Sequence, residues 1–180
     1  MSEAQKRFWQ TLRLVEKEGV YLRDVAGRLF ADPGITAEWI ERLIATPEGR
    51  DRLEAFVGKF SRMQDTLIDK LLPNFLAAAG EKTGTALDNL NRAERLGLLA
   101  DADQWLAMRQ LRNRLVHEYV EDRADLAAAL TLACAMADEL LAACQDFSIW
   151  RKCNSPAIRR VKMSDTNVVS TPTLTVQRIA

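Results

Sequence analysis

The chain has one histidine, three cysteines, two tyrosines, five prolines and no surplus of charge of either sign. Each scarcity excludes something. One imidazole cannot build a histidine-rich metal centre, and the spacing of Cys134, Cys144 and Cys153 matches no zinc motif. The cysteines read instead as buried or partly buried reduced thiols of a cytoplasmic protein. No metal and no cofactor is expected. Lysine and arginine together number 25 and aspartate and glutamate 25, so the chain lacks the positive field that draws nucleic acid nonspecifically. Any RNA contact must rely on a local patch. No charged-then-apolar leader opens the chain, and no uninterrupted run approaches the eighteen or so apolar residues of a membrane span. The expected protein is soluble, without a membrane partner.

What the chain has is helical periodicity. Its 180 residues suit one domain, since about 150 residues already bury roughly 70% of their unfolded surface. Phe8, Leu12, Val15, Leu22, Val25, Leu29 and Phe30 recur at steps of three, four and seven. Gly19 costs that segment about 1 kcal/mol relative to alanine and leaves room for a kink or a break. Asp32-Pro33-Gly34 signals a turn, and Thr36 then caps a short helix carrying Trp39, Ile40, Leu43 and Ile44. Thr46-Pro47 reads as an N-cap with proline at the first helical position. A long helix follows, with Leu53, Phe56, Val57, Phe60, Met63, Leu67, Ile68 and Leu71 on one face. Pro73 bends or ends it before Gly80.

A short helix is expected over 88–96, ending at Gly97 as a left-handed cap. The next starts at Asp101 or Asp103 and holds Trp105, Met108, Leu111, Leu115 and Val116. The last begins near Arg123 and runs toward Trp150. Residues 151–180 lose the helical period and read as a polar, flexible tail, with a short extended piece at Val168-Val169 or Leu174-Thr175-Val176. The fold predicted is all-α: an antiparallel helical bundle over 1–150, with an N-terminal helical extension and an irregular C-terminal tail.

Few features suggest chemistry. Gly80-Glu81-Lys82-Thr83-Gly84-Thr85 has neither the Gly-Lys-Ser/Thr ending nor the preceding strand of a phosphate loop, and reads as a helix connection. Arg159-Arg160-Val161-Lys162 is a small basic cluster of the kind usually solvated. The segment Arg112-Asn113-Arg114-Leu115-Val116-His117-Glu118-Tyr119 is different. It gathers two arginines, an amide, the lone imidazole and a phenol at the end of a helix. Asn113 and His117 are four apart and share a face. Arg112, five before His117, must wrap its long side chain to meet the ring. Arg114 lies within reach of Glu118. These groups suit a phosphodiester, with imidazole carrying protons near neutral pH and guanidinium clamping phosphate. They equally suit a polar helix end in which His117 and Arg114 satisfy backbone carbonyls and Glu118.

Arg112-Asn113-x-x-x-His117 resembles the Arg-polar-x(3-5)-His signature of the HEPN superfamily, and His117-x-Tyr119 resembles its HepT branch, the toxins of HEPN/MNT toxin–antitoxin pairs. The lead-in from Trp105 to Leu111 and the alanine-leucine-rich final helix agree, so the resemblance covers a core of about 50–145. It implies a homodimeric helical bundle with two copies of the motif in one cleft. It also implies metal-independent cleavage of RNA, tRNA or mRNA, by 2′-hydroxyl attack. Arg112 is then the phosphate clamp, Asn113 a positioning group and His117 the proton carrier, with Arg109 and Arg114 adding phosphate contacts. An MNT-type nucleotidyltransferase antitoxin is the implied partner, attaching AMP to Tyr119, where bulky negative charge would repel RNA. Dimerisation has a physical argument too, because cleavage profits from a base and an acid and one chain offers one imidazole. Glu118, Glu121 and Asp122 place opposing acid beside the site. Two alternatives stand beside this reading: a non-catalytic nucleotide- or substrate-binding subunit of a nucleotidyltransferase, and a helical interaction protein with no site.

Overall fold

The computed structural model describes residues 2–31, 34–117 and 122–153, and for Val116, His117 and Cys153 the backbone alone. Among these residues there is no strand. Seven α-helices and one π-helical turn form the bundle: α1 (Glu3–Leu29), α2 (Ala37–Ile44), α3 (Pro47–Thr66), the π turn (Leu67–Leu71), α4 (Leu72–Ala79), α5 (Ala86–Arg95), α6 (Ala102–His117) and α7 (Arg123–Cys153).

The boundaries follow local chemistry. Ser2 caps α1 in a capping box with Gln5, and Thr85 does the same for α5 with Asp88. α5 thus starts two residues before the span that its apolar pattern marks. Thr36 and Thr46 accept from backbone N–H groups of α2 and α3, with Pro47 at the first position of α3. Asp101 accepts from the N–H groups of Asp103 and Gln104, and Asp122 from those of Ala124 and Asp125. Gly80 and Gly97 end α4 and the turn after α5 in the left-handed region, at φ 85° and 70°.

α1 runs unbroken through Gly19. The glycine is used for close approach: a Cβ there would sit 3.3 Å from Leu141 and 3.4 Å from Met63, so α7 and α3 pack directly on the α1 backbone. At Pro73 the helical chain does not stop. Proline has no N–H and its ring crowds the carbonyl four residues back. The turn before it widens to π geometry, with the Leu72 N–H bonding the Leu67 carbonyl, and α4 continues from there.

α1 packs most extensively on α3 and then on α4 and α7. At one end of the core Phe8, Phe75, Phe147 and Trp150 meet edge to face, tying α1, α4 and α7 together. Toward the other, Phe30 packs against Trp39 and Phe56, and Phe56 stacks on Phe60. Averaged over a window, α7 is long and apolar enough to cross a membrane. Its apolar residues do not form an uninterrupted run of that length. Asp138 and Glu139 interrupt the run, and 44% of the window is buried against the other helices.

Candidate functional site

α6 and α3 lie antiparallel, and two ion pairs fasten them. Arg109 makes a two-pronged contact with Asp69, Nη1 to Oδ1 at 2.8 Å and Nη2 to Oδ2 at 3.2 Å. Three residues on, Arg112 donates from Nη2 to Asp65 Oδ2 at 2.6 Å. The arginines are separated by one short helical step and the aspartates by four residues ending inside the π turn. The pairs therefore stack along the helix contact.

Arg112 is the more enclosed of the two. Its side chain is 23% exposed, against 39% for Arg109. Its Nη1 donates to Asn113 Oδ1 at 2.8 Å, and its Nε is buried with no hydrogen-bond partner. Arg112 and Asn113 are thus brought together, and the guanidinium reaches across to α3. Asn113 and Arg114 are exposed, and Arg114 has an interaction of its own. His117 is the last residue of α6. Its side chain, Tyr119 and the acidic Glu118 and Glu121 lie outside the described residues, as does the basic cluster Arg159-Arg160-Val161-Lys162.

Asp65 and Asp69 escape a reading of the sequence. Their spacing of four, from α3 into the π turn, and the spacing of three between Arg109 and Arg112 are each visible, but only the packing of these elements against α6 puts them opposite one another. Near them, Ser61 Oγ and both polar atoms of the Gln64 amide are buried without partners, and Gln64 is wholly enclosed. Such groups in an interior usually hold ordered water. No cluster of three or more His, Cys, Asp or Glu side chains among the described residues could hold a metal ion.

The loop 80–85 is a plain helix connection. The Gly84 N–H donates to Asn89 Oδ1, and the Asn89 amide donates back to the Gly84 carbonyl. A cavity of about 380 Å³ lies between α1 and α7, away from the arginine pairs, lined by Val20, Leu141, Cys144 and Ile149 with Glu16, Arg23 and Lys152 at its polar edge. Comparison of the chain with protein-family models, with curated proteins and with solved structures gives no match.

Proposed function

We propose that this protein is a metal-independent endoribonuclease toxin of a HEPN/MNT pair, working as a homodimer. The observation that carries the reading is the motif Arg112-Asn113-x-x-x-His117-x-Tyr119 at the C-terminal end of the penultimate helix, directly before the long final helix. Support comes from Arg112. Its guanidinium is held in one orientation by Asp65 and is joined to Asn113, the preorganisation that a phosphate clamp requires.

In the proposed reaction the ribose 2′-hydroxyl attacks the adjacent phosphorus. The bond to the 5′-oxygen breaks, leaving a 2′,3′-cyclic phosphate and a 5′-hydroxyl. One His117 takes the 2′ proton and the second, from the other protomer, returns a proton to the leaving oxygen. Arg112, with Arg109 and Arg114, neutralises charge growing on the non-bridging oxygens. Neutralisation by the partner is AMP transfer from ATP to the Tyr119 hydroxyl, with release of pyrophosphate.

A second reading has an observation in its favour. Asp65 and Asp69 already occupy Arg112 and Arg109, and a chain that only binds a nucleotidyltransferase has no need of free guanidinium there. Cleavage of total tRNA and mRNA in EDTA by unmodified wild type and by His117→Ala separates the two. Cyclic-phosphate ends from wild type alone sustain the ribonuclease. No cleavage by either, with Tyr119 unmodified by intact mass and the dimer intact, transfers the case to the nucleotidyltransferase subunit.

A further inference from the structure

The edge where α1 meets α3 carries a group of cations that form no ion pair among the described residues. Tyr21 of α1 is 44% exposed. The Lys17 ammonium lies 5.8 Å from its ring centroid and the Lys59 ammonium 5.3 Å. Arg62 and Lys70, both exposed, continue the line along α3 into the π turn, and with Lys59 all three act on the carboxyl of Glu18. They are therefore gathered around one turn of α1. No carboxylate among the described residues comes within ion-pair distance of Lys17, Lys59, Arg62 or Lys70, whereas Arg109 and Arg112 are both paired.

Glu18 lies beneath this edge, 8% exposed, accepting from the Thr66 hydroxyl at 3.2 Å. It is enclosed and cannot cover the cations from outside. In a chain of zero net charge, four cations with no ion pair at the surface, two of them against an accessible aromatic ring, form the local patch that a polyanion needs.

We infer that Tyr21, Lys17, Lys59, Arg62 and Lys70 form a platform for single-stranded RNA, the cations following the phosphates and a base stacking on Tyr21. The choice of RNA as the polyanion rests on the ribonuclease reading, and the platform itself on the charges and the ring. A single strand fits because its bases present open faces, while a duplex hides them. The place fits as well. α3 separates α1 from α6, and two helix spacings of about 8–10 Å put Tyr21 roughly 20 Å from Arg112, with Lys59 and Arg62 of α3 between them. One strand lying across α1, α3 and α6 would reach from Tyr21 to the arginine pairs.

The test is fluorescence anisotropy of the full chain with a labelled 12-nucleotide single-stranded RNA. Methylated 2′-oxygens prevent cleavage of this probe. Four phosphate contacts predict an affinity that falls about 50-fold from 50 to 200 mM salt. Lys17→Glu with Lys59→Glu is expected to lose at least about tenfold in affinity and to flatten the salt slope. Tyr21→Ala is expected to lose about tenfold, and Tyr21→Phe to restore it. Thermal midpoints check that each variant is folded. Unchanged affinity in the folded charge-reversal variant overturns the platform, as does a Tyr21→Ala variant that binds like wild type. Tighter binding of a single-stranded DNA 12-mer of the same sequence overturns the assignment to RNA. Parallel cleavage of unblocked RNA keeps the two ideas apart. Platform-dependent binding without cleavage leaves the platform standing and removes the ribonuclease. Cleavage at subsaturating RNA that ignores all the platform variants does the reverse.

Discussion

Arg112 reaches from α6 to Asp65 of α3, 47 residues away in the chain, and closes a 2.6 Å ion pair that leaves its side chain only 23% exposed. The pair is both a bundle contact and a setting for the proposed clamp. Removing the acid strands a largely enclosed guanidinium. Asp65→Ala is expected to cost about 1–2 kcal/mol, below the cost of breaking a fully buried pair because Asp65 is 39% exposed and water reaches the gap. For a chain of this size that is a midpoint lowered by about 2–8 °C in a thermal melt. Arg112→Ala should cost less, since the aspartate left behind can hydrate. A larger loss from Arg112→Ala than from Asp65→Ala would contradict this ranking.

Gly49 and Gly58 of α3 make a matched pair of opposite sign. A Cβ at Gly49 would run into the backbone carbonyl of Leu43, while at Gly58 it would meet nothing within 4 Å. Gly49 sits where α3 folds back on the end of α2, its N–H held by Thr46, and the backbone there cannot yield cheaply. Gly49→Ala is expected to destabilise by about 3 kcal/mol. Gly58→Ala in the exposed helix interior is expected to stabilise by about 1 kcal/mol. Denaturant midpoints of the two variants read both signs, and equal shifts would defeat the argument.

These contrasts mark how far the sequence could be read. The helices were legible because Phe8, Leu12, Val15, Leu22 and Val25 keep one period and because Thr36, Thr46 and Gly97 punctuate the chain. The π turn was not, because it is a compromise between Pro73 and continuous packing, and the pattern shows only that something must give. Arg112 and Asn113 stood out as a motif. Asp65 and Asp69 did not, because an aspartate on a polar helix face is ordinary until the facing helix is known. Lys17, Lys59, Arg62 and Lys70 were likewise scattered in sequence and converge only when α1 lies against α3.

Glu18 gives a pH dependence whose sign is fixed by burial. Desolvation raises its carboxyl above the ordinary glutamate range, more than the Thr66 hydroxyl and the charges of Arg62, Lys70 and Lys59 lower it. The folded state then holds the Glu18 proton more tightly than the unfolded chain does. Stability contributed by this group rises as pH falls through the raised value and is complete below the ordinary value of 4.5. Glu18→Gln should be the more stable protein near neutrality, with the gap to wild type closing as pH drops toward 4.5. Midpoints of both proteins from pH 7 to 4.5 provide the comparison. A gap that widens on acidification would reverse the sign and refute the burial argument.

The cysteines separate by environment. Burial, with the nearby Glu16 carboxylate, pushes the Cys144 thiol up to about 11, and burial with Asp138 also raises Cys134. At pH 8 the Cys144 thiolate should be about 90-fold scarcer than for a cysteine at the ordinary value of 9.0. Alkylation of the native protein with iodoacetamide, resolved by peptide mass mapping, should leave Cys144 unmodified until the chain is unfolded. Rapid native labelling of Cys144 would mean that the α1–α7 contact opens far more often than its packing suggests.

α1 also decides whether the first residues are an attachment or part of the core. The resemblance to HEPN proteins begins near residue 50, yet Phe8, Leu12, Val15, Leu22, Val25 and Leu29 are all buried in the common core. Phe8 touches the rings of Phe75, Phe147 and Trp150, joining α1 to α4 and α7. Phe8→Ala is expected to cost about 3–5 kcal/mol, a large share of the 5–15 kcal/mol that holds a typical domain folded. Removing residues 1–30 goes further, exposing the packed faces of α3, α4 and α7 at once. The truncated chain should show no cooperative thermal transition and should aggregate, whereas full-length Phe8→Ala should still melt cooperatively at a lower midpoint. A truncated chain that melts sharply would make 50–145 a self-sufficient fold and α1 a dispensable addition. In this bundle α1 carries too much of the core for that outcome.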